Sequence, residues 1–248
     1  MQILCTNDDG YGSQGIEALV GVSKRIGHTI VVAPETEQSA MSNALTLHKS
    51  IRCVSSGENF IVKGTPADCV IMATNELIQG PIDLCLSGIN HGANMGEDVL
   101  YSGTVAGAME ANLAGIPSLS ISYAGSSYDD LDEWDDVLFE LITDMIRKNL
   151  LKENSLFNLN LPDRKPSLIK GVRVTSLGSR RYNNSITRCP DTTSENYYQI
   201  GGGDLTWTGS LTADYRAIED GYISITPVKL DLTDYSILEE ISEWNIKL

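Results

Sequence analysis

Ile3-Leu4-Cys5-Thr6-Asn7-Asp8-Asp9-Gly10 decides how the chain is read. The apolar run fits a short buried strand, and it stops abruptly on two adjacent carboxylates and a glycine. Behind it, Ile16, Leu19, Val20 and Ile26 recur at helical spacing, and Thr29-Ile30-Val31-Val32-Ala33 gives a second strand. Strand, helix, strand in that order is the pattern of a parallel sheet wrapped by helices.

The alternation continues through the first 160 residues. A polar loop, Pro34 to Asn43, precedes two antiparallel strands expected around Leu45–Val54 and Phe60–Val62, and then a helix from about Pro66 to Leu77. Asp83-Leu84-Cys85-Leu86-Ser87 reads as the third parallel strand. A glycine-rich stretch follows it, then a helix from Ser102 to about Leu113. Ser118-Leu119-Ser120-Ile121-Ser122 is another strand. Trp134, Leu138, Leu141, Met145 and Ile146 mark one face of a long helix, acidic over its first turns as the helix dipole favours.

The expected fold class is therefore α/β: a Rossmann-like, mostly parallel sheet flanked by helices, over about 1–165. The remainder, about 166–248, reads as further strands, an arm and a terminal helix within a single domain spanning 1–248. From Leu177 to Asp220 the chain is polar, rich in Arg, Tyr, Asn and Gly, and without helical period. That stretch reads as an extended β-hairpin arm, a candidate for exchange between subunits. Tyr222-Ile223-Ser224-Ile225-Thr226-Pro227 is a strand with a proline stop.

Composition narrows the chemistry. At 248 residues and 42% hydrophobic content, a full core needs no staples. No segment approaches the ~20 apolar residues that cross a bilayer, and Met1-Gln2-Ile3-Leu4 lacks the basic start of a signal peptide. The reading is cytoplasmic, with no membrane partner. Cys5, Cys53, Cys69, Cys85 and Cys189 are scattered, and with only His28, His48 and His91 beside them no zinc spacing appears. A metal here needs oxygen ligands. The net charge of −15 argues against long nucleic acid, though not against a small phosphate ester, because a divalent cation inverts the local field.

In open parallel sheets, ligands sit beyond the carboxyl ends of the strands. Three loops there carry unusual polar groups. Asn7-Asp8-Asp9-Gly10 pairs two carboxylates that repel unless a cation or donors compensate; Asp9-Gly10 as a turn, with Asp8 capping the helix, is the plainer reading. Glu37-Gln38-Ser39-Ala40-Met41-Ser42-Asn43 offers neutral oxygens, or is an ordinary turn. Ser87-Gly88-Ile89-Asn90-His91-Gly92-Ala93-Asn94-Met95-Gly96 leads to Tyr101-Ser102-Gly103-Thr104, whose glycines permit close backbone approach and whose helix start forms a phosphate cradle. His91 reads as a loop histidine. Arg180 and Arg181 reach a substrate or pair with acidic neighbours. Gly10-Tyr11-Gly12-Ser13-Gln14-Gly15 matches the dinucleotide pattern, but two carboxylates stand where the pyrophosphate would approach. A nicotinamide-dependent dehydrogenase and a non-catalytic nucleotide-binding module remain the rival readings.

These motifs, with Gly64-Thr65-Pro66-Ala67-Asp68-Cys69-Val70, Gly96-Glu97-Asp98-Val99-Leu100-Tyr101-Ser102-Gly103-Thr104-Val105 and Gly221-Tyr222-Ile223-Ser224-Ile225-Thr226-Pro227, resemble the SurE family of stationary-phase survival proteins, which are 5′(3′)-nucleotidases. The resemblance covers nearly the whole chain. It implies a metal-dependent phosphatase of nucleoside monophosphates with Mg²⁺ or Mn²⁺ on Asp8, Asp9, Ser39 and Asn90. It further implies catalysis by Asp8 and Asp9, a phosphate pocket at Ser102, Gly103 and Thr104 with Asn43 nearby, and a homodimer or homotetramer. Gln38 stands where many relatives have Arg, and Ala40 where many have Gly.

Overall fold

The computed structural model describes residues 1–128, 131–183, 186–189, 197–201, 204–242 and 244. Its centre is a nine-stranded sheet ordered β3-β4-β2-β1-β5-β6-β7-β13-β8. These strands are β1 (Gln2–Thr6), β2 (His28–Pro34), β3 (Cys53–Ser56), β4 (Asn59–Val62), β5 (Leu84–His91), β6 (Ser118–Tyr123), β7 (Leu156–Leu161), β8 (Val172–Val174) and β13 (Ile223–Pro227). From β4 across to β7 every pairing is parallel, and β3 and β13 join antiparallel to their neighbours β4 and β7. The mostly parallel α/β sheet expected from the alternation is the one observed.

Strand pleating sorts the core between two faces. Ile3 and Cys5 pack with α1 (Gln14–Lys24) and α4 (Asp135–Arg147) through Ile16, Leu19, Val22, Leu138 and Ile142. Leu4 and Cys85 point the other way, toward Cys69 and Val70 of α2 (Pro66–Met72) and Ala111 of α3 (Gly103–Leu113). The α3 helix lies flat because its sheet-facing residues are small. A Cβ on Gly107 would stand 2.9 Å from Ser87 Oγ and 3.0 Å from Thr6 Cγ2. Among the described residues no helix is long and apolar enough to cross a membrane.

Two expectations are corrected. No strand runs from Leu45 to Cys53; the pairing with β4 begins at Cys53. The Thr46 N–H donates instead to the Asp68 carboxylate at 2.9 Å, His48 has a φ of +58°, and Leu45 and Leu47 are exposed. The strand expected to end at Ser87 continues as β5 to His91, past a bulge and a cis Gly88–Ile89 peptide. Gly88 permits this, since a Cβ there would meet the Ile121 carbonyl oxygen at 2.3 Å. The polar 177–220 stretch contains the expected antiparallel arm as two nested ladders: β9 (Ser179–Asn183) pairs with β12 (Asp204–Thr208), β10 (Ile186–Cys189) pairs with β11 (Tyr197–Ile200), and a six-residue helix, α5 (Asp214–Glu219), closes it. A terminal helix, α6 (Tyr235–Ile241), is present as expected.

Side-chain carboxylates and carboxamides fasten the irregular segments. The Asp214 carboxylate is buried and accepts from the N–H groups of Gly96 and Gly178, both at 2.9 Å, which ties the arm's base to the 96–100 turn. Asn94 is held from β7: its N–H donates to Asn160 Oδ1 at 2.8 Å, while its carbonyl accepts from Asn158 and Asn160 at 2.8 and 3.0 Å. All three asparagines are buried, so each bond is made where water cannot replace it. Asn160→Leu removes two of these partners. It is expected to destabilise the protein by ~2–4 kcal/mol in urea unfolding, and an unchanged midpoint would show that the network bears no weight.

Candidate active site

The chain steps from β1 out to β2 and β4, then returns to the other side of β1 for β5, β6 and β7. The reversal falls between β1 and β5, and a crevice opens at such a point beyond the strand ends. Asn7-Asp8-Asp9-Gly10 leaves β1 there, and Asn90 lies at the end of β5. Asn7 folds the first turn, its Nδ2 donating to Gly10 O at 2.9 Å and Ser13 Oγ at 2.8 Å. Gly10 closes it with a φ of +100°, a conformation side chains disfavour.

Asp8 turns inward and is only 3% exposed. Its Oδ1 accepts a hydrogen bond from the Thr104 hydroxyl, and its backbone carbonyl accepts from the Gln38 N–H at 2.7 Å. Gly103 allows this approach, because a Cβ there would sit 2.8 Å from Asp8 Cβ and 2.9 Å from Asp8 Oδ2. Burial pushes the Asp8 carboxyl from 3.8 up to about 6, with the Thr104 hydroxyl pulling against that rise and the neighbouring Asp9 adding to it. Among the described residues no Lys or Arg pairs with it.

Asp9 is half-buried, and burial raises its carboxyl too. Its Oδ2 accepts from the His91 N–H and the Tyr128 hydroxyl, each at 3.3 Å. Asn90 directs its amide nitrogen to Gly92 O at 2.7 Å, and its Oδ1 lies 3.5 Å from the Thr104 hydroxyl. Its oxygen thus faces the side on which Asp8 sits. The Ser39 hydroxyl donates to Glu37 Oε1 at 2.7 Å, which leaves its oxygen able to accept. Asp8, Ser39, Asn90 and Ser102 line one cleft of about 590 Å³, with His91, Tyr101 and Arg180 also on its walls.

This donor set suits a hard cation. Asp8, Ser39 and Asn90 share that cleft, whereas Asp9 is not among its lining residues. Carboxylate, hydroxyl and carboxamide oxygens match Mg²⁺ or Mn²⁺, and a buried carboxyl without a basic partner is what such an ion would compensate. Among the described residues no three His, Cys, Asp or Glu side chains gather as an alternative cage.

The remaining expected residues take distinct places. Ser102 caps α3, its Oγ accepting from the Val105 N–H at 3.1 Å, while its own N–H goes to Asp98 O at 3.0 Å. Thr104 is fully buried and serves Asp8. Asn43 is exposed, its carboxamide on Met109 Sδ at 3.5 Å, away from the cleft wall. Arg180 pairs with Asp98 and lies over the Trp207 ring, 5.0 Å from its centre. Gly15, the last glycine of the dinucleotide-like match, is needed for packing: a Cβ there would stand 1.9 Å from Ile89 O. Tyr128 was not foreseen, although it lies just beyond the carboxyl end of β6, where the strand-end rule directs attention.

The Survival protein SurE family matches residues 3–184. The chain is 44% identical over 248 residues to the 5′-nucleotidase SurE of Gemmatimonas aurantiaca, covering 98% of each. It is 40% identical over 251 residues to the 5′-nucleotidase SurE of Geotalea daltonii, covering 99% of this chain and 100% of that one. The crystal structure of the SurE protein from Aquifex aeolicus aligns with a TM-score of 0.87 at 35% identity, over 98% of this chain and 99% of that one. The chain belongs to the SurE family. The SurE match takes in Asp8, Asp9, Ser39, Asn90 and the 102–104 turn alike.

A consequence for stability follows from Asp8. Its folded carboxyl is raised, so its favourable contribution is complete below the unfolded value of 3.8 and is lost as pH climbs through about 6. At pH 7.5 without a cation, the buried charge costs at most ~3 kcal/mol. Asp8→Asn is therefore expected to raise the melting temperature of chelator-treated protein by roughly 3–10 °C at pH 7.5 and hardly at all at pH 4. Calorimetry at the two pH values checks it, and equal or lower stability at pH 7.5 would refute the uncompensated charge.

Proposed function

We propose that this chain hydrolyses nucleoside 5′-monophosphates, and 3′-monophosphates by the same chemistry, to nucleoside and phosphate. A divalent cation, Mg²⁺ or Mn²⁺, would be held by Asp8, Asp9, Ser39 and Asn90. The observation that carries this reading is the buried Asp8 carboxyl, pressed against Gly103 and bonded by Thr104 at the switch point of the sheet. The relatives' shared name, 5′-nucleotidase SurE, supports the substrate class.

When bound, the cation supplies positive charge to the phosphate oxygens and acidity to a water. The protein's own groups do the rest. Thr104 fixes the Asp8 carboxylate, and the His91 N–H and Tyr128 fix Asp9. The Ser102 hydroxyl and the Gly103 N–H, at the start of α3, would receive the phosphate oxygens as charge builds on them. The water oxygen bonds to phosphorus as the ester P–O bond breaks. Its proton passes to one of the two aspartates, and the departing ribose oxygen takes up a proton from solvent water, to which the aspartate's proton then returns. Asn43 has no contact in this scheme unless its side chain leaves Met109.

Asp8→Asn is expected to cut phosphate release from AMP by at least about 10³-fold in Mn²⁺, since it removes charge from the cation site. Chelation should do the same to the wild type, and NAD should leave intrinsic Trp fluorescence unchanged. Near-normal turnover by the variant, or saturable NAD binding, would overturn the proposal.

Assembly as a homodimer or homotetramer in the cytoplasm belongs to the same reading. Ile186, Tyr197, Tyr198 and Ile200 stand exposed on the β10–β11 hairpin, as do Ile237, Leu238 and Ile241 on α6. Apolar groups gathered in this way are ordinarily covered by a partner. Light scattering is expected to give a mass of two or four chains, and deletion of residues 234–248 should lower it. A monomeric wild type would end this part of the proposal.

A further inference from the structure

Tyr128 lies outside the set of groups expected to touch cation or phosphate, yet three elements have made room for it. Its hydroxyl donates to Ile89 O at 2.6 Å and reaches Asp9 Oδ2 at 3.3 Å. Its ring is tilted against the His91 ring, with centroids 4.9 Å apart, and stacked on Tyr123 at 6.4 Å. From below, Gly15 clears the space, because a Cβ at that position would stand 2.9 Å from the Tyr128 hydroxyl. The residue is thus held by two neighbouring rings and at its oxygen, and the single hydroxyl proton lies between the Ile89 carbonyl at 2.6 Å and Asp9 Oδ2 at 3.3 Å.

The second donor to Asp9, the His91 N–H, takes the same oxygen. Both contacts fall on Oδ2 and restrain the carboxylate there, while neither engages Oδ1. Groups that orient a metal-ligating carboxylate in this way govern affinity without touching the ion. We infer that Tyr128 is a positioning residue, which fixes Asp9 for cation binding by bracing it against Ile89. This inference rests on the cation reading proposed above. It also gives a use to the glycine at the end of the dinucleotide-like match, whose missing side chain admits both the Ile89 carbonyl and the tyrosine hydroxyl.

The test compares wild type, Tyr128→Phe and Asp8→Asn by titration of Mn²⁺ with electron paramagnetic resonance of the free ion, without substrate. Tyr128→Phe keeps the ring contacts and removes only the donor. Its Mn²⁺ dissociation constant is expected to rise by about 10-fold, with a melting temperature within a few degrees of the wild type after chelation. Turnover of AMP should be depressed at limiting Mn²⁺ and recover as Mn²⁺ is raised, with KM for AMP little changed at saturating Mn²⁺. A merely structural role would give a loss that excess Mn²⁺ does not recover. Unchanged Mn²⁺ affinity in Tyr128→Phe, or a loss that persists at saturation, overturns the inference alone. Failure of the wild type to bind Mn²⁺, or equal binding by Asp8→Asn, overturns the cation reading and this inference with it.

Discussion

The Asp8 carboxylate is kept where a charged group is hard to keep. It stands at the end of a strand buried on both faces, 3% exposed, with the start of α3 pressed onto it through Gly103. Water is largely excluded, and the compensation at hand is the Thr104 hydroxyl rather than a basic side chain. Desolvation therefore outweighs hydrogen bonding, which is why the carboxyl rises to about 6 instead of falling. A fold selected only for stability would place an apolar residue here. The position makes sense where a cation completes the balance, since charge lacking in the polypeptide is then supplied from solution.

Keeping that arrangement requires irregular loops to hold still, and sheet ladders do not reach them. Acidic and amide side chains take over the task by accepting or donating backbone bonds. Asp68 closes a capping box with Thr65 and also holds Thr46 through its N–H and hydroxyl at 2.9 and 2.7 Å, pinning the far end of the loop that carries Ser39. Ser42 binds the backbone around Leu100 and Tyr101, while the Gln38 N–H fixes the near end on Asp8. Asn158 and Asn160 hold Asn94, and Asp214 holds Gly96 and Gly178. Fixed backbone in the second ring lets a few side chains in the first meet with little entropic loss.

Much of this could be read from residue order because the deciding elements are local. The β1 strand and its Asp8-Asp9 terminus, the run of small residues on α3, the amphipathic α4 and the β13 strand each carry their signal within a few neighbours. What escaped depends on contacts across the fold. Leu45 to Cys53 has the composition of a strand, but Thr46 gives its N–H to Asp68, 22 residues away. Gly88 reads as the end of β5, yet it serves the close approach to Ile121 within the sheet. The α5 helix has too few residues to show a period. Tyr128 looks like an ordinary loop aromatic until Asp9, 119 positions earlier, is placed beside it.

If a cation is held as proposed above, the electrostatics of the cleft make its binding and that of phosphate mutually dependent. Among the described residues lining the cleft, Arg180 is the one Lys or Arg, and it is already engaged with Asp98 and lies over the Trp207 ring. Gln38, where the family resemblance leads one to expect an arginine, is neutral. With a net charge of −15 behind it, the cleft repels a dianionic ester before any contact forms. The helix start at Gly103 contributes only a partial charge. On the proposed reading, attraction comes from a divalent cation on the aspartates, so the affinity for phosphate depends on its occupancy. By linkage the dependence runs both ways: a phosphate that adds its oxygens to the ion holds the ion more tightly by the same factor. The same charge distribution disfavours long nucleic acid on the proposed reading, because a polyanion would meet the negative surface well beyond the one position where a cation would offset it.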